Sequence, residues 1–110
     1  MKFLVLYNAA VSARDQMANA SAAEAQAGMD AWSEWAAAAG DGVVDLGVPV
    51  EAERRLTSSG TSESTSSASG YSILQADSVN QVSDLLRKHP HLQMPGSSID
   101  VFEMLAMPGM

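Results

Sequence analysis

Apolar residues follow two rhythms along this chain, and each predicts a different element. Phe3-Leu-Val-Leu-Tyr7 is apolar without interruption, so the segment reads as a strand that needs cover on both faces. Val43-Val-Asp-Leu-Gly-Val48 is rich in β-branched residues and is stopped by Pro49, which predicts a second strand. Strict alternation there places Val44, Leu46 and Val48 on one face and Val43, Asp45 and Gly47 on the other. Tyr71–Ala76, opened by Gly70, predicts a third strand, again apolar on both faces. Ile99–Met104 predicts the last, with Ile99, Val101 and Glu103 opposed to Asp100, Phe102 and Met104.

The second rhythm is helical. Ser21-Ala-Ala-Glu24 has the spacing of a capping box, in which serine and glutamate each satisfy a backbone N–H that the helix leaves free. The alanine-rich stretch that follows carries Ala25, Met29, Trp32, Ala36 and Ala39 as one apolar stripe flanked by Trp35, and Gly40-Asp-Gly42 ends it. Ser78-Val-Asn-Gln81 repeats the cap spacing ahead of a stripe of Val79, Val82, Leu85 and Leu86. Arg87, Lys88 and His89 follow, where cations favour the helix dipole, before Pro90 ends the helix. Asn8–Ala20 is small, polar and aperiodic, and reads as a loop. The resulting order is β-α-β-β-α-β, an α+β fold of the ferredoxin-like, split βαβ kind. Two helices cannot cover both faces of such a sheet, so a homodimer is expected.

Composition then bounds the possibilities. The 110 residues make one domain, 1–110. Ten of the thirteen residues from Thr57 to Ser69 are Ser or Thr, a run too poor in apolar surface to offset its ordering entropy; it reads as the mobile tip of a long hairpin. The net charge of −7 and the isolated doublets Arg54-Arg55 and Arg87-Lys88 supply no basic groove, so nucleic acid is not an expected partner. Cysteine is absent, which removes disulfides and thiolate chemistry. No run approaches the roughly 20 apolar residues of a membrane span. The opening run reads as a buried strand and not as a secretory leader, so a cytoplasmic location is expected.

Asp45 is the first candidate for chemistry, because a carboxylate inside an apolar strand is costly unless paired, and a raised pKa there makes a general base. The competing reading is an edge aspartate that faces water or bonds a loop N–H. His89 and His91 are the only imidazoles, so any acid–base histidine is one of them; His89 is the catalytic candidate, against a structural role at the helix end. Trp32 and Tyr71 are candidate ligand-binding residues, against plain core packing. His89-x-His91-x-x-Met94 lacks a further donor, no phosphate-binding or nucleophile motif is present, and neither metal nor cofactor is expected.

Five segments in order resemble the YCII-related family of small bacterial proteins: Lys2–Tyr7, the Trp32-x-x-Trp35 helix running into Gly40–Pro49, Gly70-Tyr-Ser-Ile with Ala76-Asp-Ser78, His89-Pro-His-Leu92, and Ser98–Glu103. The resemblance implies a dimeric α/β barrel in which two four-stranded sheets meet face to face. It also implies one of several roles, since some relatives carry a histidine–aspartate pair proposed as catalytic and others are linked to sigma-factor regulation. The first-helix position of that histidine falls within Ala27-Gly-Met-Asp-Ala-Trp32, which contains none. Two functions are therefore expected to compete. One is a homodimer binding a small organic molecule between sheet and helices, lined by Trp32, Asp45, Tyr71 and His89, with any catalysis being cofactor-free acid–base chemistry. The other is a non-catalytic accessory or regulatory protein that contacts another protein.

Overall fold

The computed structural model describes residues 1–109. Its centre is β1 (Lys2–Asn8), which pairs antiparallel with β5 (Ala68–Gln75) on one side and β6 (Ser98–Glu103) on the other. β2 (Val43–Asp45) joins the far side of β5, giving the order β2-β5-β1-β6. A separate antiparallel hairpin, β3 (Arg54–Thr57) with β4 (Gly60–Glu63), lies between β2 and β5 in sequence. Three helices complete an α+β fold: α1 (Ala13–Asn19), α2 (Ala22–Ala39) and α3 (Val79–Leu86). Without α1 and the hairpin, the connectivity is the expected β-α-β-β-α-β.

The uninterrupted apolar run of β1 separates its residues by face. Phe3, Val5 and Tyr7 are buried with Leu74, Val82, Leu86 and Trp35 in the core between sheet and helices. Leu4 lies opposite both Ile73 and Phe102, and Leu6 opposite both Tyr71 and Asp100. Residues directly opposed in antiparallel strands share a face, so Leu4, Leu6, Tyr71, Ile73, Asp100 and Phe102 form the second face. Neither α2 nor α3 covers it. The sheet does not close into a barrel.

The caps follow the sequence closely. Ser21 and Glu24 form the reciprocal capping box of α2. Ser78 Oγ accepts from Gln81 N–H at the start of α3, while Gln81 Oε1 reaches Asp77 N–H, one residue before the cap. The expected loop at 8–20 contains α1, because Ser12 supplies an N-cap by accepting Asp15 N–H. The expected α2 stripe is displaced. Residues 21–30 are exposed throughout, including Met29, and the helix buries Trp35, with Trp32, Ala36 and Ala39 partly covered. An alanine-rich surface gives little directional signal, so the indole rings decide which side faces the sheet.

β2 is shorter than expected, and its register shifts between Val43 and Asp45. Val43 opposes Leu74 on the helix side, whereas Asp45 opposes Ile73 on the other side. The irregularity thus puts on opposite faces two residues that strict alternation puts together. Beyond it, Gly47 adopts φ +77°, and a Cβ there would sit 1.7 Å from Tyr71 O; the chain can pass only as glycine.

All eight residues of the β3–β4 hairpin are exposed, and Ser64 N–H donates to Glu53 O at 3.2 Å at its base. Joining Glu53 to Ser64 through a short turn removes no core contact and shortens a loop whose closure entropy varies slowly with length. The midpoint of thermal unfolding should therefore shift by less than the equivalent of about 1 kcal/mol; a larger loss in calorimetry would show that the hairpin packs on the body of the protein.

Candidate functional site

The densest group of chemically capable side chains lies on the helix side of the sheet. Tyr7 comes from the end of β1, Trp32 and Trp35 from α2, and His89 and His91 from the connection after α3. His89 caps a single 3₁₀ turn, Pro90–Gln93, by accepting His91 N–H on Nδ1 at 3.0 Å. Proline at the first position of that turn loses nothing, since its missing N–H would be unpaired there anyway. The cap folds the chain inward, and His89 becomes only 1% exposed. Its ring stacks on Tyr7 at 4.8 Å and stands across Trp32 and Trp35 at 4.3 and 4.4 Å. Tyr7 also meets Trp32 edge to face at 4.9 Å.

Hydrogen bonds fix the protonation pattern. The Tyr7 hydroxyl donates to Ser72 Oγ at 2.9 Å, and Ser72 donates onward to Leu46 O at 2.6 Å. His91 Nε2 lies 2.7 Å from Asn8 O; a carbonyl can only accept, so Nε2 carries a proton. Because His89 Nδ1 accepts, the neutral ring holds its proton on Nε2, which is buried and, among the described residues, has no hydrogen-bond partner. Its surroundings are aromatic rings, which offer only weak N–H···π contact. Trp35 spends its own N–H on Leu85 O at 2.8 Å.

Burial shapes the acid–base behaviour of this group. It pushes the His89 pKa down to about 4, with the neighbouring His91 as a smaller contribution, so the imidazole is neutral at physiological pH. The expected cationic complement to the α3 dipole is therefore not His89. Arg87 caps that helix end and pairs with Asp84 at 3.3 Å. Burial likewise raises the Tyr7 pKa to about 12, against the opposing pull of its Ser72 bond.

The four residues singled out in the sequence divide between the faces of the sheet. Trp32 and His89 are brought together on the helix side. Tyr71 and Asp45 lie on the opposite face, through their pairing with Leu6 and Ile73. Asp45 is exposed, and its Oδ1 accepts Gly47 N–H at 2.8 Å, an Asx-type turn that ends β2. One cleft lined by all four is not formed. Sequence reasoning passed over Tyr7 and Ser72, although a serine alternating with Gly70 and Leu74 in a buried strand already marks a polar group that requires a partner.

Open space lies elsewhere. A cleft of about 410 Å³ is bordered by Ala9, Ser12, Glu51, Thr65 and Ser67, between the end of β1 and the base of the hairpin. A smaller apolar groove of about 190 Å³ runs beside β6, lined by Leu86, Leu92, Ile99 and Val101. Among the described residues, no cluster of three or more His, Cys, Asp or Glu could hold a metal ion, and no helix is long and apolar enough to cross a membrane. No protein-family model matches the chain, and no curated protein matches it.

Two expectations test this site. Ser72→Ala leaves the buried Tyr7 hydroxyl without its acceptor and Leu46 O without its donor, and should cost about 1–3 kcal/mol by urea denaturation. The second concerns pH. The folded-state pKa of His89, about 4, lies below its ordinary 6.5, so between these values the unfolded chain binds more protons and stability rises with pH. The His89 contribution is complete above about 6.5 and is lost as pH falls toward about 4, a drop of about 3 kcal/mol at roughly 1.4 kcal/mol per unit. His89→Asn keeps a capping oxygen and should flatten that slope; an unchanged pH profile of the denaturation midpoint would show that another group carries it.

Proposed function

We propose that the chain acts as a homodimer, assembled like the dimeric α/β barrels of the YCII-related family, and that it serves as a non-catalytic accessory or regulatory module. The observation that carries this reading is the four-stranded sheet with helices on one face and Leu4, Leu6, Tyr71, Ile73 and Phe102 on the other. Phe102 is 49% exposed in the single chain, and apolar area removed from water is worth about 25 cal/mol per Å². A second copy presents the same strip in self-complementary form, as twofold assembly requires. The strand order β2-β5-β1-β6 supports the family reading, because it leaves the long central pair β1 and β5 at the middle of the proposed interface.

Acid–base catalysis between sheet and helices draws less support. That interface holds Tyr7, Trp32, Trp35 and His89 ring against ring, and each hydroxyl or pyridine-type nitrogen there is already bonded within the chain. Asp45 is engaged by its turn. A small-molecule role would instead use the 410 Å³ cleft, whose Glu51 carboxylate and serine hydroxyls suit a polar ligand. For the interaction role, the charge of −7 favours a partner with a basic surface.

Sedimentation equilibrium tests the assembly. The wild-type chain should be dimeric at micromolar concentration, and Phe102→Glu, which puts a charge into the apolar strip of an edge strand, should shift it to monomer while leaving the circular dichroism spectrum intact. A monomeric wild type, or a variant as dimeric as wild type, would overturn the proposed interface.

A further inference from the structure

The β3–β4 hairpin carries an arrangement that neither the core nor the sheet face explains. It is the only place in the chain where two adjacent arginines precede a run of hydroxyls: Arg54-Arg55-Leu56-Thr57-Ser58-Ser59. The pairing Arg54↔Glu63, Arg55↔Ser62, Leu56↔Thr61 and Thr57↔Gly60 sorts these side chains by face. Arg54 has a carboxylate directly across. Arg55 has Ser62 opposite, Thr57 two residues on and Glu53 two residues before it along the same strand face. Glu53, the nearest carboxylate before it, pairs with Arg14 at 3.6 Å. Among the described residues, neither Arg54 nor Arg55 takes part in an ion pair.

Accessibility is equally marked. All eight strand residues of the hairpin are exposed, and Leu56 is 71% exposed, so β3 itself buries little against the body of the protein. A lone two-stranded hairpin is marginally stable at best, and local opening of such a segment costs little. Residues 54–59 can therefore be drawn out as an extended peptide into the groove of an enzyme without disturbing the core. In the closed turn the Thr57 hydroxyl lies 3.1 Å from Ser59 Oγ, donates to Gly60 O at 3.4 Å and accepts Ser59 N–H at 3.3 Å, and opening the hairpin releases these exposed bonds. A cationic pair two and three residues before a released hydroxyl is what a groove lined with carboxylates recognises.

We propose that Thr57 is a phosphoacceptor for an arginine-directed protein kinase, and that the resulting phosphate is held by Arg55. In the transfer, the Thr57 hydroxyl oxygen attacks the γ-phosphorus of ATP, the bond to the bridging oxygen of ADP breaks, and the hydroxyl proton leaves to solvent. The product carries about −1.5 to −2 of added charge on a chain already at −7. On the folded hairpin it stands on the same face as Arg55, where a charge-assisted bond tightens a segment otherwise free to open. The modification would thus switch the hairpin from an open to a closed strand pair. It lies on neither the proposed dimer face nor the aromatic cluster, so its outcome is independent of both.

The test uses the purified full chain with ATP, Mg²⁺ and a serine/threonine kinase that selects arginine two and three residues before its acceptor. Peptide mass spectrometry should place a single phosphoryl group on Thr57, Thr57→Ala should abolish incorporation, and a double Arg54→Gln, Arg55→Gln variant should slow it at least about tenfold, the effect of about 1.4 kcal/mol in the transition state. Phosphorus NMR of the product should then titrate below the usual phosphate pKa of about 6, and the Arg55→Gln variant, phosphorylated to completion by prolonged incubation, should return it to that value. No incorporation, incorporation spread over the other hydroxyls regardless of the arginines, or a phosphate titration unmoved by Arg55→Gln would overturn the proposal.

Discussion

Tyr7 is the point at which the separate parts of this chain are forced to agree. Its strand lies at the centre of the sheet, its ring meets Trp32 from α2 and both histidines from the turn after α3, and its hydroxyl reaches Ser72 on β5. A buried phenol is costly unless its hydroxyl is bonded, so the ring cannot shift without breaking the Ser72 contact. That contact in turn holds Leu46 O beside β5 through the Ser72 hydroxyl, beyond the point where β2 has ended. One side chain therefore links the sheet register, the position of α2 and the path of the chain past the β2 irregularity.

The same economy governs the two histidines. His89 is neutral because desolvation penalises its cation, and its accepting nitrogen is used to cap the turn that carries it inward. His91, within that turn, ties it to Asn8 O. Each imidazole stabilises the connection between α3 and β6, and the turn they build covers one end of the aromatic cluster. Both imidazoles are buried.

What remains outward-facing is unevenly placed. The second sheet face gathers Leu4, Leu6, Tyr71, Ile73 and Phe102 beside Asp45 and Asp100, α2 projects its first nine residues into solvent, and the segment after β6 leaves Leu105 at 76% and Met107 at 65% exposed. Apolar surface gathered on one side of a single sheet is the usual mark of an interface, whereas the hairpin is polar and stands apart. These regions divide the molecule into a closed helix-side core, an open sheet face and a detached arm, and each calls for a different kind of contact.

Local signals in the sequence determined most of the elements. The capping spacings at Ser21 and Ser78, the β-branched run at Val43 and the apolar runs of β1 and β5 act over a few residues, and their physics does not depend on what lies beyond. The helix α1 escaped notice because its cap, Ser12, is followed by no apolar stripe, only by Ala13 as a buried residue. The site was far less legible. Trp32 and His89 lie 57 positions apart in the sequence and meet only through the packing of α2 on the turn after α3. Asp45 was assigned a face by alternation, and one irregularity in β2, invisible to a period of two, sends it to the opposite face from Val43 and out to water. Residue chemistry and local periodicity are properties of the chain itself, but burial and partnership depend on which distant surfaces come together, and only the tertiary structure decides that.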